Sequence, residues 1–405
     1  MTTLNIAAMK SLDTMKTVWK NGDAFRNCGD HGGCFWMAGN FFHTSLDAML
    51  QLQVKDAGNF SFGADAIAFF DDRMKNNPDP KEWFKTGIWI DDFGWWGLAF
   101  VQAYRHAADL GYDAATSQHF VQRAKDCWTA MNAFWQNDPV KWDVKDGPHA
   151  GHYEITGGIP NTLDTAPMLN GRNCVTNEVY WALSNYLTAD FGSYYNAPGT
   201  QASQFFLQGY EQRLLLDPQN LVYERFYGMP KSDNPAWTWL GDQGLFAISS
   251  FNNITGNEKL FDRDQAELVL ASVIQNKRTA NGVLHEDVAP FSAYTMDYAC
   301  GKGTFMRYLS YINSYYHGGN SGLSKYDEYI YINARAVWKN RDINTNQFGF
   351  YWDGEGDQSK IQWGYRDDTA AAILHAAGFT ALIAALARYA DKPIDNVAVT
   401  AGATS

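Results

Sequence analysis

With 405 residues, a net charge of −12 and an isoelectric point near 5.2, the chain carries no Lys/Arg cluster, which argues against nucleic acid and anionic membrane as partners. A mean hydropathy of −0.37 and 19% charged residues describe a soluble globular protein, and 15 Trp, 22 Tyr and 25 Phe supply a large core. A neutral small molecule or neutral polymer is the ligand class left open.

The first helical pattern covers 5–19. Met1–Ile6 have no cationic start and no apolar run, so the chain is expected to be cytoplasmic or a trimmed exported form. The sequons at Asn59 and Asn253 carry weight only with secretion. The run Cys28-Gly-Asp-His31-Gly-Gly-Cys34 offers three soft ligands, but no fourth stands nearby, so a Gly-rich loop is expected rather than a metal site. With Cys127, Cys174 and Cys300, these cysteines form no disulfide framework, although Cys28 and Cys34 are close enough to bridge.

Helical periodicity returns near 40–56. Asp71-Asp72 precede Arg73 and the polar stretch Asn76-Asn77-Pro78-Asp79-Pro80, which reads as a solvated turn. The next pattern, 92–110, is preceded by a second acid pair, Asp91-Asp92. Phe93, Trp96, Phe100, Ala103 and Ala107 follow at helical spacing, so both acids sit at or just before a helix start. Asp there is a good cap. Paired carboxylates beside tryptophans are also what glycoside hydrolysis uses. Trp96 falls on the apolar stripe and reads as core, which leaves Trp95 for a cleft.

Further helices are predicted near 117–136, 174–190, 200–215, 242–254, 262–277, 299–316 and 325–339. Between the first two, Asp146–Arg172 is long and broken by Pro148, Pro160 and Pro167. Asp242 and Gln243 open a helix, where capping and ligand hydrogen bonds account for them equally well. Lys302, read as near a helix start, opposes the helix dipole and points to a partner carboxylate or ligand. Phe348-Gly349-Phe350-Tyr351-Trp352 suggests a small hairpin.

The last helix, 366–390, opens on Asp367-Asp368, a cap that could also reach sugar hydroxyls through Asp368. Ala370–Ala387 carries no formal charge and is long enough to span a membrane. It is rich in Ala, however, holds His375, Gly378 and Thr380, and reads as a helix buried by other helices. No membrane insertion is expected. Ile394–Ser405 reads as a frayed tail. Eleven patterns, with one or two more to be found, predict about twelve helices in one all-α domain over 1–393, an (α/α)6 toroid with its cleft at one end.

Several segments, in order, resemble the endo-α-1,6-mannanases of glycoside hydrolase family 76. They are Phe35-Trp36 through Asp47; Asp91-Asp92 with Trp95-Trp96; Gly157-Gly158-Ile159 followed by Asn173 and Asn177; and Leu240-Gly241-Asp242-Gln243-Gly244. Gly282-Val283-Leu284-His285-Glu286 and Gly301-Lys302-Gly303-Thr304-Phe305-Met306-Arg307-Tyr308-Leu309 complete the series, and the likeness runs from Phe35 to Tyr389. The resemblance implies a retaining mechanism with Asp91 as nucleophile and Asp92 as acid/base. Trp95, Asn173, Asn177, Asp242, Gln243, Lys302 and Asp368 become candidates for substrate contacts, and a neutral oligo- or polysaccharide the partner. Asp242 departs from the family's usual Asn, Cys300-Gly301 from its usual residues, and 146–172 from its length.

No His-Glu-x-x-His, Gly-x-Ser-x-Gly, phosphate-loop or dinucleotide motif is present, so catalysis without an organic cofactor is expected. Two other readings stay open. An epimerase or lyase on the same toroid would need a His base, and His149, His152, His285 and His375 form no pattern. A toroid that only binds glycan is the third.

Overall fold

The computed structural model describes residues 2–19, 23–26, 34–75, 89–160, 171–229, 237–253, 262–286, 295–317, 324–356 and 367–394. All eleven expected helices are there with shifted ends. In chain order the helices are α1 (Leu4–Trp19), α2 (Asp23–Arg26), α3 (Cys34–Leu52), α4 (Phe62–Lys75), α5 (Ile90–Arg105), α6 (Ala114–Asn132) and α7 (Cys174–Phe191). They continue as α8 (Asn196–Glu211), α9 (Leu240–Phe251), α10 (Arg263–Asn276), α11 (Thr295–His317), α12 (Asp327–Lys339) and α13 (Asp367–Tyr389).

Six of them close into a ring. Helix α3 packs on α5, α5 on α7, α7 on α9, α9 on α11, α11 on α13, and α13 back on α3. The other long helices line the outside: α1 against α13 and α3, α4 against α3, α6 against α5, α8 against α7, α10 against α9, and α12 against α13. Outer and inner helices alternate along the chain, so the inner six run parallel. This is the (α/α)6 toroid.

Composition explains which helices go inside. The stretch Asp368–Tyr389 is long and apolar enough to cross a membrane, yet 89% of its apolar window is buried inside the protein. Its small residues let neighbours approach closely. At Gly303 of α11, a Cβ would lie 2.6 Å from the Ala377 Cα, so any larger residue would push α11 off α13. At the C-terminal end of the ring, the Asp47 carboxylate accepts from Gln102 (2.8 Å) and Tyr311 (2.7 Å) and faces Arg307. Three inner helices are thereby tied through one buried carboxylate.

Three expectations are corrected. Asp71-Asp72 lie in helix α4, not in a turn, because Phe62, Ala66, Phe69 and Phe70 form a buried helical stripe. Asp71 there pairs with Arg123 at 2.7 Å. No strand forms at 348–352; Phe348, Phe350 and Trp352 turn into the core instead. The hairpin lies at β1 (Val140–Val144) and β2 (Gly151–Ile155), antiparallel with Val140 opposite Ile155. Finally Ile394, at the head of the expected tail, is buried and its N–H bonds to Thr2 O (2.9 Å), while residues after it lie outside the described set.

Candidate active site

The N-terminal ends of the inner helices gather the acidic groups. Helix α5 starts from an extended Trp89 (φ −99°, ψ 166°), and its second and third residues are Asp91 and Asp92. The pair is therefore inside the first turn, not before it. Trp89 N–H donates to Asp92 Oδ2 at 3.1 Å, so one oxygen of Asp92 does serve as a cap. The helix is held close to α7 at this point. A Cβ on Gly94 would sit 2.4 Å from a Val179 methyl, and only glycine permits that approach.

Asp92 is 2% exposed, and burial holds its carboxyl well above the usual range, with the charges of Asp91 and Asp297 adding to the effect. Asp91 is half-buried, and its Oδ1 has no hydrogen-bond partner among the described residues. Burial, helped by Glu224, pushes Asp91 up to about 7, against local backbone N–H groups and Arg225. Of the two neighbouring carboxyls, Asp92 is therefore the stronger proton holder.

Of the further acids, Asp242 and Glu286 lie in segments singled out in the sequence, whereas Glu224, Asp297 and Glu178 were not foreseen. Glu224 forms a nearly buried ion pair with Arg225 (2.8 Å). Asp297, in the first turn of α11, is pushed up to about 7 by burial and by Asp91 and Glu224. Glu286 accepts from Leu240 N–H at 2.7 Å and so caps α9. Glu178 of α7 and Asp242 of α9 are both fully buried, and burial, with neighbouring acids such as Glu224 adding to it, holds both carboxyls well above the usual range.

The expected substrate contacts divide sharply. Trp95 is 2% exposed, in a cluster with Trp36 (centroids 5.6 Å apart) and Trp239 (6.2 Å), so it is no open stacking face. Changing Trp95 to Ala should cost roughly 3–5 kcal/mol of stability, read as a lowered chemical-denaturation midpoint. Unchanged stability would place the ring in the cleft after all. Trp96 is core as expected, with its N–H on Phe35 O (2.8 Å).

Asn177 is fully occupied. It accepts from Ile159 N–H (2.8 Å) and donates to Ile159 O (3.0 Å) and Asn173 O (2.9 Å), clamping the Gly157–Ile159 loop. Gln243 is occupied likewise, accepting from Val222 N–H (2.7 Å) and donating to Val222 O (2.8 Å) and Trp239 O (3.0 Å). Both residues are buried with their amide N–H groups engaged, so neither offers a donor to a sugar.

Lys302 is corrected twice. Helix α11 begins at Thr295, so the lysine is well inside the helix, and its ammonium is buried over the rings of Phe350 (4.0 Å) and Trp352 (4.9 Å) while donating to Phe350 O. Burial lowers it to about 7, opposed by Glu286 and Asp353. It anchors the 348–352 segment. Asn173 keeps a free group: it precedes α7, is 4% exposed, and its Oδ1 has no partner among the described residues. Asp368 is exposed on the first turn of α13 and accepts from the adjacent Thr369 N–H (2.9 Å).

His375 and His152 are each accounted for by other contacts. His375 is buried, stacked on Phe348 (4.7 Å) and bonded to Ser11 O (3.0 Å), and burial lowers it to about 4. His152 lies on the exposed hairpin beside Asp143. Of the Cys28–Cys34 run, Cys34 is disulfide-bonded, while Cys28 and His31 lie outside the described residues.

No protein-family model and no curated protein matches the sequence. Solved structures do match in fold. An inactive variant of the α-1,6-mannanase GH76A from Salegentibacter sp., bound to α-1,6-mannotriose, superposes with a TM-score of 0.66 at 15% identity, covering 95% of this chain and 99% of that one. Dfg5 from Chaetomium thermophilum with glucosamine gives 0.65 at 16% identity, covering 94% and 90%. A GH76 α-mannanase from Bacteroides thetaiotaomicron gives 0.60 at 14% identity, covering 93% and 96%. The chain has the fold of glycoside hydrolase family 76.

Proposed function

We propose that this protein is a retaining glycoside hydrolase, or a closely related transglycosylase, acting on α-1,6-mannan or a similar α-linked glycan. The observation that carries the reading is the Asp91-Asp92 pair at the N-terminal end of an inner helix, with the two carboxyls held at different proton affinities. It is supported by the inactive mannanase of the same fold, in which two adjacent aspartates are replaced.

In the first step Asp92 gives its proton to the glycosidic oxygen while the Asp91 carboxylate attacks C1, forming a glycosyl ester and releasing the aglycone alcohol. Asp92, now a carboxylate, takes a proton from the incoming water, whose oxygen displaces Asp91 from C1. If a sugar hydroxyl takes the place of water, the outcome is transglycosylation. Glucosamine bound to Dfg5 shows the same fold receiving a second kind of sugar.

The test is stereochemical. Proton NMR of the first product from α-1,6-mannooligosaccharides should show the α-anomer before mutarotation, whereas a β-anomer would mean inversion and no glycosyl ester. The pH profile follows from the same roles. Asp91 must be ionised and Asp92 protonated in the free enzyme, so kcat/KM should rise through about pH 7 with Asp91 and fall at higher pH with Asp92. An optimum at pH 4–5, where unperturbed carboxyls titrate, would contradict this assignment.

With Trp95 buried, Trp89 replaces it as the stacking candidate. It is 41% exposed, and its backbone N–H is bonded to Asp92. Trp89→Ala should raise KM by roughly ten-fold, with kcat and thermal stability little changed. An unaltered KM would show that the ring faces solvent only.

A further inference from the structure

The acid pair occupies one end of the ring, and the other end holds a cavity of about 330 Å³. Its walls come from the C-terminal halves of α3, α5, α7, α11 and α13. Ser310 in its wall lies 13 residues beyond Asp297 on α11, roughly 20 Å along the helix axis. The cavity is therefore separate from the cluster around Asp91 and Asp92.

Its floor is a buried ion pair with one side unfinished. Asp47 is 5% exposed and Arg307 is 2% exposed. The two Nη groups of Arg307 donate to Asn40 Oδ1 (2.8 Å), Asn40 O (3.1 Å) and Thr44 Oγ1 (2.7 Å), and its Nε faces Asp47 Oδ2 at 3.4 Å. Both hydrogen bonds to Asp47, from Gln102 and Tyr311, fall on Oδ1. Oδ2 is left with the long contact to Arg307 and accepts no hydrogen bond among the described residues. A carboxylate oxygen taken out of water without a donor is costly, and a ligand hydroxyl in the cavity removes that cost.

The rim offers the complementary group. Arg105 Nε and Nη2 hold Asp190 at 2.7 and 2.9 Å, and Nη2 also donates to Tyr186 O (3.2 Å). Its Nη1 donates to nothing among the described residues.

Charge then selects the class of ligand. Each arginine of the cavity is matched by a carboxylate, Arg307 by Asp47 and Arg105 by Asp190, so an ionic ligand meets no uncompensated charge. The remaining walls carry hydroxyl and amide groups at Ser310, Ser314 and Gln51, and apolar surface at Leu50, Ile383 and Ala384. A molecule with hydroxyls on its edge and C–H groups on its face matches that mixture. The volume stands at the small end of the roughly 300–1,000 Å³ of ligand pockets, which suits a single sugar-sized ring.

We propose that this cavity is a second binding site, apart from the candidate active site, for a neutral polyhydroxylated molecule the size of a monosaccharide. One ligand hydroxyl donates to Asp47 Oδ2, another accepts from Arg105 Nη1, and the C–H face lies against Ile383 and Ala384. The proposal does not rest on the glycosidase reading, since none of these residues belongs to that machinery.

Histidine rings give a local readout. His106 lines the cavity, and His43 Nε2 is bonded to the Oη of Tyr311, another lining residue, at 3.0 Å. His119, on outer helix α6 beside Asp71, serves as the control. Their ring signals, assigned with single His→Gln variants, are followed by proton–carbon NMR during titration with methyl α-mannoside, methyl α-glucoside and myo-inositol. At least one of these should shift His106 and His43 along a saturable curve with a midpoint at roughly millimolar concentration, while His119 stays still. Sugar bound only at the acid pair would leave both reporters unmoved.

Two variants and two ions complete the test. Ser314 is exposed, so Ser314→Trp should fold normally, fill the cavity and abolish the shifts. Asp47→Asn keeps the shape but not the anionic acceptor, and should weaken binding by roughly ten-fold. Sodium phosphate and methylammonium, at matched pH and ionic strength, should leave His106 and His43 where they are. No saturable shift with any of the three polyols, or a shift that survives Ser314→Trp, would overturn the site. Saturable shifts with phosphate or methylammonium but not with the polyols would overturn the class of ligand. If Asp47→Asn does not fold, Ser314→Trp still decides, with its melting curve as the control. Absence of glycosidase activity in wild type would fell the functional reading and leave this titration standing.

Discussion

Asp91→Asn is expected to abolish turnover on every substrate, by roughly 10⁴-fold or more, since no glycosyl ester can form on an amide. The fold should survive. Asp91 is half-buried and its Oδ1 has no hydrogen-bond partner among the described residues, so an isosteric amide breaks no contact there. Removing a carboxyl raised to about 7 also removes a cost of ionising a buried group, and the variant should be no less stable than wild type at pH 8. Steady-state rates on polymer and on an aryl α-mannoside, with melting curves alongside, check both halves. Turnover within a few-fold of wild type would make the pair a helix cap and the protein something other than this enzyme.

Asp92→Asn should divide substrates by leaving group. Loss of a general acid costs about 10²–10⁴-fold where the aglycone needs a proton, as in a mannan chain. An aryl glycoside with a good leaving group needs little proton donation, so its first step should be nearly spared. The second step then limits, and azide, which needs no general base, should restore part of the rate and yield a glycosyl azide. Equal losses on both substrates without azide rescue would keep the chemistry at this site but remove these roles. Stability needs separate attention in this variant, because Asp92 also accepts from Trp89 N–H.

The ring was legible because its signal is periodic and local. Inner helices such as α13 are apolar on all sides and outer ones such as α12 on one side only, and that contrast survives without any tertiary knowledge. Helix α4 carried the same signal in Phe62, Ala66, Phe69 and Phe70, and was hidden by the polar Asn/Pro stretch that follows it.

The site was legible only in part. Asp91 and Asp92 are adjacent in sequence and easily seen, whereas Glu224, Asp297 and Glu178 come from three distant segments that only the closed ring brings together. Glu178 did leave a trace, an acid among Val175, Val179, Tyr180 and Trp181 on a buried helix. Asn177 and Gln243 misled for the opposite reason. A side-chain amide that clamps a backbone loop has the same sequence signature as one that binds a sugar, and only the partners at Ile159 and Val222 tell them apart. Trp95 misled because being off one stripe of α5 does not mean facing solvent when a helix is buried on several sides. Lys302 misled through a helix start placed four residues late.

The central claim is that Asp91 is the atom-level nucleophile of a retaining glycosidase, and one measurement bears on it directly. Asp92→Asn, incubated with an activated aryl α-mannoside and quenched in acid, should accumulate the glycosyl ester. Digestion and tandem mass spectrometry should then place one hexose on the peptide that contains Asp91, at the Asp91 carboxyl, with the label lost on addition of azide. A hexose located on Glu224, Asp297 or any other residue, or no label while wild type turns the same substrate over, would contradict the account.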